Sequence, residues 1–240
     1  MSAVKVTVIT VCYNSEKTIG RAIESVLNQT YENIEYIIVD GKSTDETMTV
    51  INSYRDAFAD RLTVISEKDD GAYFAMNKGI ATAKGELVGI LNSDDRYEPD
   101  AVENMVNAMN RDKYQILYGF LRIYVGGIEA QVNMTKHEFL RTAMLPHPTC
   151  FVTRAVYDEL GAFNTDYKSC ADYDFMLRMK ETGKVTFTPV YKIIASFYAG
   201  TGLSAKKSSR KEVLRMKRQY GILDGRQYAM ERIKLFLKRN

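Results

Sequence analysis

Two adjacent aspartates, Asp94 and Asp95, end an apolar run that begins at Leu87. Neighbouring carboxylates repel each other, so without a counter-charge one of them is driven toward protonation. Their oxygen atoms are hard ligands that suit Mg²⁺ or Mn²⁺ bound together with a substrate phosphate. A turn followed by a helix cap would explain the same residues without a cation, and the pattern alone leaves both interpretations open.

Polar side chains also follow the other apolar runs of the first half. Tyr13, Asp40 and Asp69 each come just after a run that is rich in β-branched residues. Each has an ordinary explanation, because tyrosine suits sheets, an aspartate followed by glycine is a common turn, and Asp69 could be a surface charge beside Asp70. They would form a site only if the runs are neighbouring strands of one sheet.

The first half alternates strand patterns with helix patterns. The predicted strands are Val4–Val11, Ile34–Val39, Leu62–Ser66 and the run that begins at Leu87. Ser15 and a capping-box sequence at 43–46 are predicted to begin the first two amphipathic helices. This alternation predicts an α/β fold with a Rossmann-like, mostly parallel central sheet and helices on both faces. Ligands of such sheets bind beyond the carboxyl ends of the strands, so the polar residues above are expected to line one crevice.

The second half has a different pattern, which predicts a smaller subsheet. Phe120–Val132 reads as a hairpin with a glycine pair at its turn, and two late strands are predicted beyond Gly183. Asp172 begins a predicted helix, where an aspartate also serves as an N-cap or first-turn residue. Asp174 and Arg178, further along that helix, are expected to pair at helical spacing.

The composition is that of a globular protein with a basic C-terminal end. The chain has 240 residues, of which 45% are hydrophobic, and no apolar stretch is long enough to span a bilayer. Its three cysteines are too few and too scattered for a disulfide framework or a zinc site, which favours a reducing compartment. Residues 206–240 hold twelve Lys and Arg against three acidic residues, although the whole chain carries only +3. This basic tail predicts contact with an anionic surface, either nucleic acid or phospholipid.

Three segments, in this order along the chain, resemble the family 2 glycosyltransferases, and most closely the bacterial members that build surface polysaccharides. The segments contain VTVITVCYNSEKTIGRAIESVL, SEKDDGAYFAMNKGI and GAFNTDYKSCADYDFMLR, and the resemblance runs from about Val4 to about Ser204. It implies the A-type glycosyltransferase fold, a nucleotide-sugar donor, Mn²⁺ or Mg²⁺, and inversion at the anomeric carbon.

Carried over position by position, the resemblance implies donor-side roles for residues of the crevice. Val11, Tyr13 and Asp40 are expected to border the nucleotide. The tyrosine ring can stack on the base, and the Asp40 carboxylate can accept hydrogen bonds from a uracil N–H or a ribose hydroxyl. Asp69 matches another donor-side aspartate.

The resemblance also implies a metal site and a catalytic base. Asp94 and Asp95 match the metal motif, with Asp94 also bordering the donor and Asp95 coordinating directly. Asn92 stands where many members have the first acid of this motif, so the site relies on the two aspartates. Asp172 matches the catalytic base at the start of the acceptor-side helix. His147, in an extended segment between two prolines, is an acceptor-side candidate, although a loop histidine is often merely solvated.

The resemblance divides the chain into a donor-binding half, 1–118, an acceptor-binding half of the same domain, 119–205, and a basic helical tail, 206–240. Segment 199–207, with Lys206 and Lys207, could close over the donor diphosphate or could be a simple linker. Acceptors in bacterial polysaccharide synthesis are commonly sugars on a polyprenyl diphosphate. The tail is therefore expected to bind an anionic membrane surface at the inner face of the cytoplasmic membrane, with a solvated helix and a disordered end as the alternative.

The expected function is metal-dependent, inverting transfer of a sugar, from a UDP-sugar by family habit, to a hydroxyl of a glycan or lipid-linked oligosaccharide. A nucleotidyltransferase is disfavoured, since the first half has no glycine-rich phosphate loop with a lysine. A nucleic-acid-binding module is disfavoured by the acidic body and by the lack of a nucleic-acid-binding motif. A non-catalytic sugar-nucleotide binder would not need both the aspartate pair and Asp172. The chain has no tryptophan, so it lacks the Gln-x-x-Arg-Trp motif of processive synthases, which favours addition of single sugars.

Overall fold

The computed structural model of the chain describes residues 3–110, 112–199 and 207–237. The strands are β1 Val6–Cys12, β2 Ile34–Asp40, β3 Leu62–Ser66, β4 Leu87–Asn92, β5 Arg96–Tyr97, β6 Gln115–Val125, β7 Ile128–Asn133, β8 Phe151–Thr153 and β9 Thr186–Ala199. The helices are α1 Ile19–Leu27, α2 Thr47–Ser53, α3 Arg55–Phe58, α4 Ala72–Thr82, α5 Ala101–Ala108, α6 Arg154–Leu160, α7 Ala171–Glu181, α8 Lys207–Gln219 and α9 Gly225–Leu237.

One sheet joins both halves of the chain. Within the described residues its order is β3-β2-β1-β4-β8-β6-β9-β5, and β7 pairs with β6 at the side. Strands β3, β2, β1 and β4 are parallel to one another. The predicted mostly parallel α/β sheet of the A-type glycosyltransferase fold is confirmed.

Alternate residues of the strands pack into two cores on opposite faces of the sheet. Val8 of β1 faces a core formed with α1, α2 and α5, whereas Ile9 faces a core formed with α4 and α7. Both residues are fully buried. Gly79 of α4 lies against Ile9 so closely that a Cβ there would come within 2.5 Å of Ile9 Cγ2. The sheet is thus covered on both faces, as its β-branched, continuously apolar strands predict.

The starts of the first two helices differ from the prediction. The helix α1 begins at Ile19 rather than directly after Ser15, whose backbone carbonyl accepts the N–H of Ile19 at 2.9 Å. The capping box at 43–46 is wrong as well, because Asp45 Oδ1 accepts the N–H of Thr47 at 3.0 Å and the Ser43 hydroxyl instead donates to Asp40. The hydroxyls of Ser15 and Ser43 instead join loops at the end of the sheet, Ser15 to Ser93 and Ser43 to Asp40.

The predicted hairpin is present as β6 and β7, but β9 is one long strand where the sequence predicts two. It runs parallel to β6, with register shifts near Gly119, where a Cβ would come within 2.5 Å of the Ile194 side chain. Near its end, β9 also pairs with the two residues of β5, Arg96 with Ser196 and Tyr97 with Ala195. The last strand therefore returns the chain to the loop that carries the aspartate pair.

The two helices of the C-terminal tail differ in how they meet the rest of the protein. In α8, Met216 is fully buried, and the Glu212 carboxylate accepts the backbone N–H groups of Lys168 and Ser169 at 2.8 and 2.6 Å. In contrast, α9 has no buried residue. Segment 200–206, which contains most of the predicted diphosphate loop and Lys206, lies outside the described residues. No described helix has the length and apolar character that crossing a membrane requires.

Candidate active site

The carboxyl ends of the four parallel strands meet at one edge of the sheet. Cys12 at the end of β1 pairs with Asp40 at the end of β2, and Val11 pairs with Asn92 at the end of β4. Asp40 in turn pairs with Ser66, the last residue of β3. The segments that leave these strands therefore start side by side.

Tyr13 and Asp69 come together at Gly41. A Cβ atom added to Gly41 would lie 3.4 Å from Tyr13 Cδ2 and 3.2 Å from Asp69 Oδ2. The Tyr13 ring is 62% exposed, so its surface can take a stacked ring, and Asp69 Oδ1 accepts the N–H of Gly71 at 3.0 Å. Val11 packs its side chain into the core, which leaves only its backbone near this edge. The donor-side roles of Val11, Tyr13 and Asp69 stay predictions.

Asp40 is fully buried, and its carboxylate already accepts several hydrogen bonds. Ser66 Oγ donates to Asp40 Oδ2 at 2.6 Å, and Ser43 donates both its hydroxyl and its N–H, the latter at 3.1 Å. Burial, together with the Asp40 charge, raises the pKa of the Cys12 thiol well above its usual range. The Ser43 hydroxyl oxygen also accepts the N–H of Asn14 at 2.8 Å, which ties the loops after β1 and β2 together. Direct contact between Asp40 and a nucleotide stays a prediction, and it would require these serines to turn away.

The aspartate pair has the electrostatics that the sequence predicts. Asp95 is 1% exposed, and burial together with the neighbouring Asp94 carboxylate raises its pKa to about 8. Asn92 Nδ2 donates to Asp95 Oδ2 at 3.0 Å, and the backbone N–H of Tyr198 also donates to this carboxylate. Asp95 Oδ1 has no hydrogen-bond partner within the described parts of the chain.

These residues fit a divalent cation. A buried carboxylate oxygen without a partner, beside a second carboxylate, gains most from a positive charge. No group of three or more His, Cys, Asp and Glu side chains stands ready to hold a metal within residues 3–110, 112–199 and 207–237. The metal-ligand roles of Asp94 and Asp95 stay predictions, and the remaining coordination positions would belong to the substrate and water, as is usual for Mg²⁺.

Asp172 lies in the first turn of α7, and its role as the catalytic base stays a prediction. Its Oδ1 accepts the hydroxyl of Tyr73 and the backbone N–H of Tyr173, both at 2.9 Å. His147 is buried nearby, with its ring edge-on to Phe163 at a centroid distance of 5.7 Å. Burial lowers the pKa of His147, and the Asp172 carboxylate opposes this effect. His147 is thus a buried residue rather than a solvated loop histidine, and its acceptor-side role stays a prediction.

Asp174, two residues after Asp172, has a structural role. It is buried, its Oδ2 lies 3.6 Å from Arg178 Nε, and its Oδ1 accepts the hydroxyl of Tyr220 at 2.8 Å. The predicted helical pair is confirmed. Arg178 also donates to the backbone carbonyls of Leu160 and Ala162 at the end of α6, at 3.1 and 2.5 Å.

Sequence reasoning missed three residues that hold the candidate site together: Ser43, Tyr73 and Glu212. The sequence pattern assigns Ser43 to a helix cap, and its place three residues after Asp40 is the available signal. Tyr73 follows a predicted strand end by a few residues and begins an amphipathic helix, which marks its position but not its partner. Glu212 is an acidic residue within a basic tail, and that contrast was the signal that it has a specific partner.

The sequence matches the family described as Glycosyl transferase family 2 over residues 7–172. The chain belongs to this family. An uncharacterized glycosyltransferase of Mycobacterium tuberculosis is 33% identical over 184 residues, which cover 74% of this chain and 69% of the relative. The chondroitin synthase of Escherichia coli is 32% identical over 181 residues, which cover 71% of this chain but only 26% of that larger protein.

Solved structures show the same fold as this family 2 glycosyltransferase. TarS of Staphylococcus aureus, residues 1–349 with UDP-GlcNAc, superimposes with a TM-score of 0.73 at 21% identity over 89% of this chain and 65% of TarS. The mannosyltransferase PcManGT of Pyrobaculum calidifontis, solved with GDP-Man and Mn²⁺, has a TM-score of 0.66 at 20% identity over 93% of this chain and 66% of its own. The chain thus spans slightly less than two thirds of either structure.

Proposed function

We propose that this family 2 glycosyltransferase moves a sugar from a UDP-sugar to a hydroxyl of a glycan or lipid-linked oligosaccharide, with inversion, in cell-surface polysaccharide synthesis. The observation that carries the proposal is the buried Oδ1 of Asp95, which has no hydrogen-bond partner among the described residues. It lies next to Asp94, at the same sheet edge as Tyr13. Relatives solved with UDP-GlcNAc and with GDP-Man and Mn²⁺ support a nucleotide-sugar donor and a divalent cation.

On the donor side, the exposed Tyr13 ring offers a flat apolar surface for the base. Asp69 lies beside it at Gly41 and can accept hydrogen bonds from the nucleoside. The buried Asp40 carboxylate fixes the positions of Ser43 and Ser66 by accepting their hydrogen bonds. It can contact the nucleotide directly only if the hydroxyls of these serines rotate away.

Asp94 and Asp95 would hold Mn²⁺ or Mg²⁺, which supplies positive charge against the phosphates of the departing nucleoside diphosphate. Asn92 donates to Oδ2 of Asp95, so within the described residues Oδ1 is the oxygen of this carboxylate that remains without a hydrogen-bond partner. Because burial makes the lone Asp95 carboxylate costly when ionised, this loop is suited to a bound cation rather than to an empty state.

On the acceptor side, Asp172 would remove the proton from the attacking hydroxyl. The hydroxyl oxygen forms a bond to the anomeric carbon as the bond to the diphosphate breaks, and attack from the opposite face inverts the configuration. A carboxylate suits this task because it is ionised at neutral pH and needs only to lie within hydrogen-bond reach. The buried His147 would shape the acceptor side next to it.

One variant and a matched control test the assignment of Asp172 as the catalytic base. Asp172→Asn should lower UDP release in the presence of a lipid-linked glycan extract by about 10²- to 10⁴-fold, as loss of a general base does, while UDP-sugar binding stays measurable by calorimetry. Asp166→Asn is the matched control, since Asp166 is exposed and only six residues away. Undiminished turnover by Asp172→Asn would reject it as the base.

The donor itself is identified by thermal shift with a panel of UDP-, GDP- and dTDP-sugars, with and without Mn²⁺. A UDP-sugar is expected to raise the unfolding midpoint, and to do so only with the metal. Equal shifts in EDTA would remove the cation from the proposal, and a shift by nucleoside triphosphates with release of pyrophosphate would favour a nucleotidyltransferase.

We further propose that α9 attaches the enzyme to the inner face of the cytoplasmic membrane. Met230, Ile233 and Leu237 recur at helical spacing and are each more than half exposed, with Phe236 beside them. Several of the tail's Lys and Arg residues flank these side chains in the sequence, which is typical of a helix that lies in an anionic interface.

Co-sedimentation with vesicles tests the attachment. The full chain should bind vesicles with anionic phospholipid, and a chain ended after Leu223, which keeps the packed α8, should not. Neutral vesicles are the control for charge. Equal binding by both chains would contradict a role for α9.

A further inference from the structure

Tyr73 connects the donor-side loop to the proposed base. It lies in the first turn of α4, four residues after Asp69, and its hydroxyl donates to Asp172 Oδ1 at 2.9 Å. The two residues are 99 positions apart in the chain, so the contact joins the first half to the start of α7. The Tyr73 side chain is buried, and burial raises the pKa of its phenol, so the hydroxyl keeps its proton and acts as a donor.

The surroundings of Tyr73 fix the direction of its hydroxyl. Its ring packs against Phe163 at a centroid distance of 5.6 Å. One turn further along α4, Asn77 makes two hydrogen bonds to the backbone of the same Phe163, one to its carbonyl at 2.8 Å and one from its N–H at 3.0 Å. The segment before α7 is therefore held against α4 at two adjacent points. A side chain held in this way loses little further entropy when it positions a catalytic group.

The consequence lies in how the two oxygen atoms of Asp172 are used. Oδ1 accepts both the Tyr73 hydroxyl and the N–H of Tyr173, which occupies its two lone pairs. Within residues 3–110, 112–199 and 207–237, both of these donors bind Oδ1 and none binds Oδ2, so Oδ2 is the oxygen left to accept a proton.

We propose that Tyr73 is a positioning residue, which fixes the Asp172 carboxylate so that Oδ2 faces the acceptor hydroxyl. The inference rests on the proposed function, in which Asp172 is the base. Without the Tyr73 hydroxyl, the carboxylate keeps only one of its two anchors on Oδ1 and can rotate about its terminal bond, which is a broad, weakly restrained torsion. The rate of proton transfer then falls, whereas donor binding at the other strand ends does not change.

Tyr73→Phe removes one oxygen atom and keeps the ring contact with Phe163. We expect kcat for UDP release, with a lipid-linked glycan extract as acceptor, to fall about 10-fold to 100-fold, as for the loss of a hydrogen bond to a charged group. The KM for the UDP-sugar should stay unchanged, because Tyr73 does not contact the donor in this proposal. Tyr157→Phe is the matched control, because Tyr157 is also a buried tyrosine against Phe163, at 6.2 Å, but makes no hydrogen bond to Asp172.

A double-mutant cycle separates positioning from a general structural effect. If Tyr73 acts only through Asp172, Tyr73→Phe should not lower the residual rate of Asp172→Asn any further. Additive losses, or a raised KM for the donor, would overturn the proposal. If Asp172→Asn keeps full activity, the base assignment fails; if Asp172→Asn is inactive but Tyr73→Phe has normal kcat, only the positioning role fails.

Discussion

Replacing Asp95 by asparagine should make the metal-free protein more stable near neutral pH, although it removes a proposed metal ligand. The unfolded carboxyl ionises near pH 3.8, whereas burial, together with Asp94, raises the pKa of the folded one to about 8. Between these values the folded protein keeps a proton that the unfolded chain releases. The stability that this carboxyl contributes is therefore complete at acid pH and is lost as the pH rises toward 8. An asparagine of the same shape has no such dependence.

The size of the effect follows from the two pKa values. Each pH unit between them is worth about 1.4 kcal/mol, so the difference in unfolding free energy between Asp95→Asn and the parent chain should grow by about 3 kcal/mol from pH 5 to pH 7. Asp95 is 1% exposed, so solvent screening does not reduce this figure appreciably. The Asn92 amide can still donate to the asparagine oxygen, which limits the cost of the substitution itself.

Urea unfolding in EDTA at pH 5, 6 and 7 measures this difference directly. Asp60→Asn is the control, because Asp60 is exposed and its substitution should give the same small difference at every pH. With Mn²⁺ and UDP added, the parent chain should gain stability and Asp95→Asn should not. If the difference in unfolding free energy between the two chains stays constant with pH, the Asp95 carboxylate is not destabilising when ionised. That result would refute the reasoning that a bound cation offsets the cost of burying this charge.

Three further predictions concern packing and the donor site. Glu212→Ala should lower the unfolding free energy by about 2 kcal/mol in urea, because backbone donors before α7 lose a charged acceptor; a change below about 0.5 kcal/mol would mean that α8 packs through apolar contacts alone. Gly79→Ala should cost about 1 to 3 kcal/mol, since its Cβ would come within 2.5 Å of Ile9, and an unchanged Tm would contradict this close packing. Gly41→Ala should weaken UDP-sugar binding in calorimetry with little change in stability, because its Cβ would lie 3.4 Å from the Tyr13 ring; unaltered affinity would place the nucleotide elsewhere.

The first half of the fold was largely predictable because its signals are local. Continuous β-branched runs and the amphipathic helices between them predict β1 to β4, α1 and α2 with errors of a few residues at the ends, whereas the separate short helix α3 is not predicted. The Asp94-Asp95 pair could be recognised as electrostatically unusual from its spacing alone. What failed locally were the side chains of Ser15 and Ser43, which look like helix caps but bind neighbouring loops. Capping and loop-to-loop contacts use the same residue types, so only the tertiary structure distinguishes them.

The second half was less predictable because its contacts join distant segments. The pairing of β9 with β6 and β5 depends on residues 71 to 100 positions apart, and no local pattern encodes it. For the same reason the basic tail could not be divided into α8, which packs against the body, and the exposed α9. Tyr73 and Glu212 carry no motif that names their partners, and their roles follow from burial and hydrogen bonds.

The pairing of β5 with β9 limits how segments can be exchanged between related enzymes to make chimeras. The short strand that follows the aspartate pair is completed by a strand nearly one hundred residues later, so the first and second halves of the chain share one sheet and do not form two separate units. A chimera spliced between β5 and β6 would match a foreign β9 to a native β5 and would disturb the very loop that holds Asp95. New acceptor specificity should therefore be sought by exchanging surface loops around this shared sheet, or by grafting β5 and β9 together as one unit.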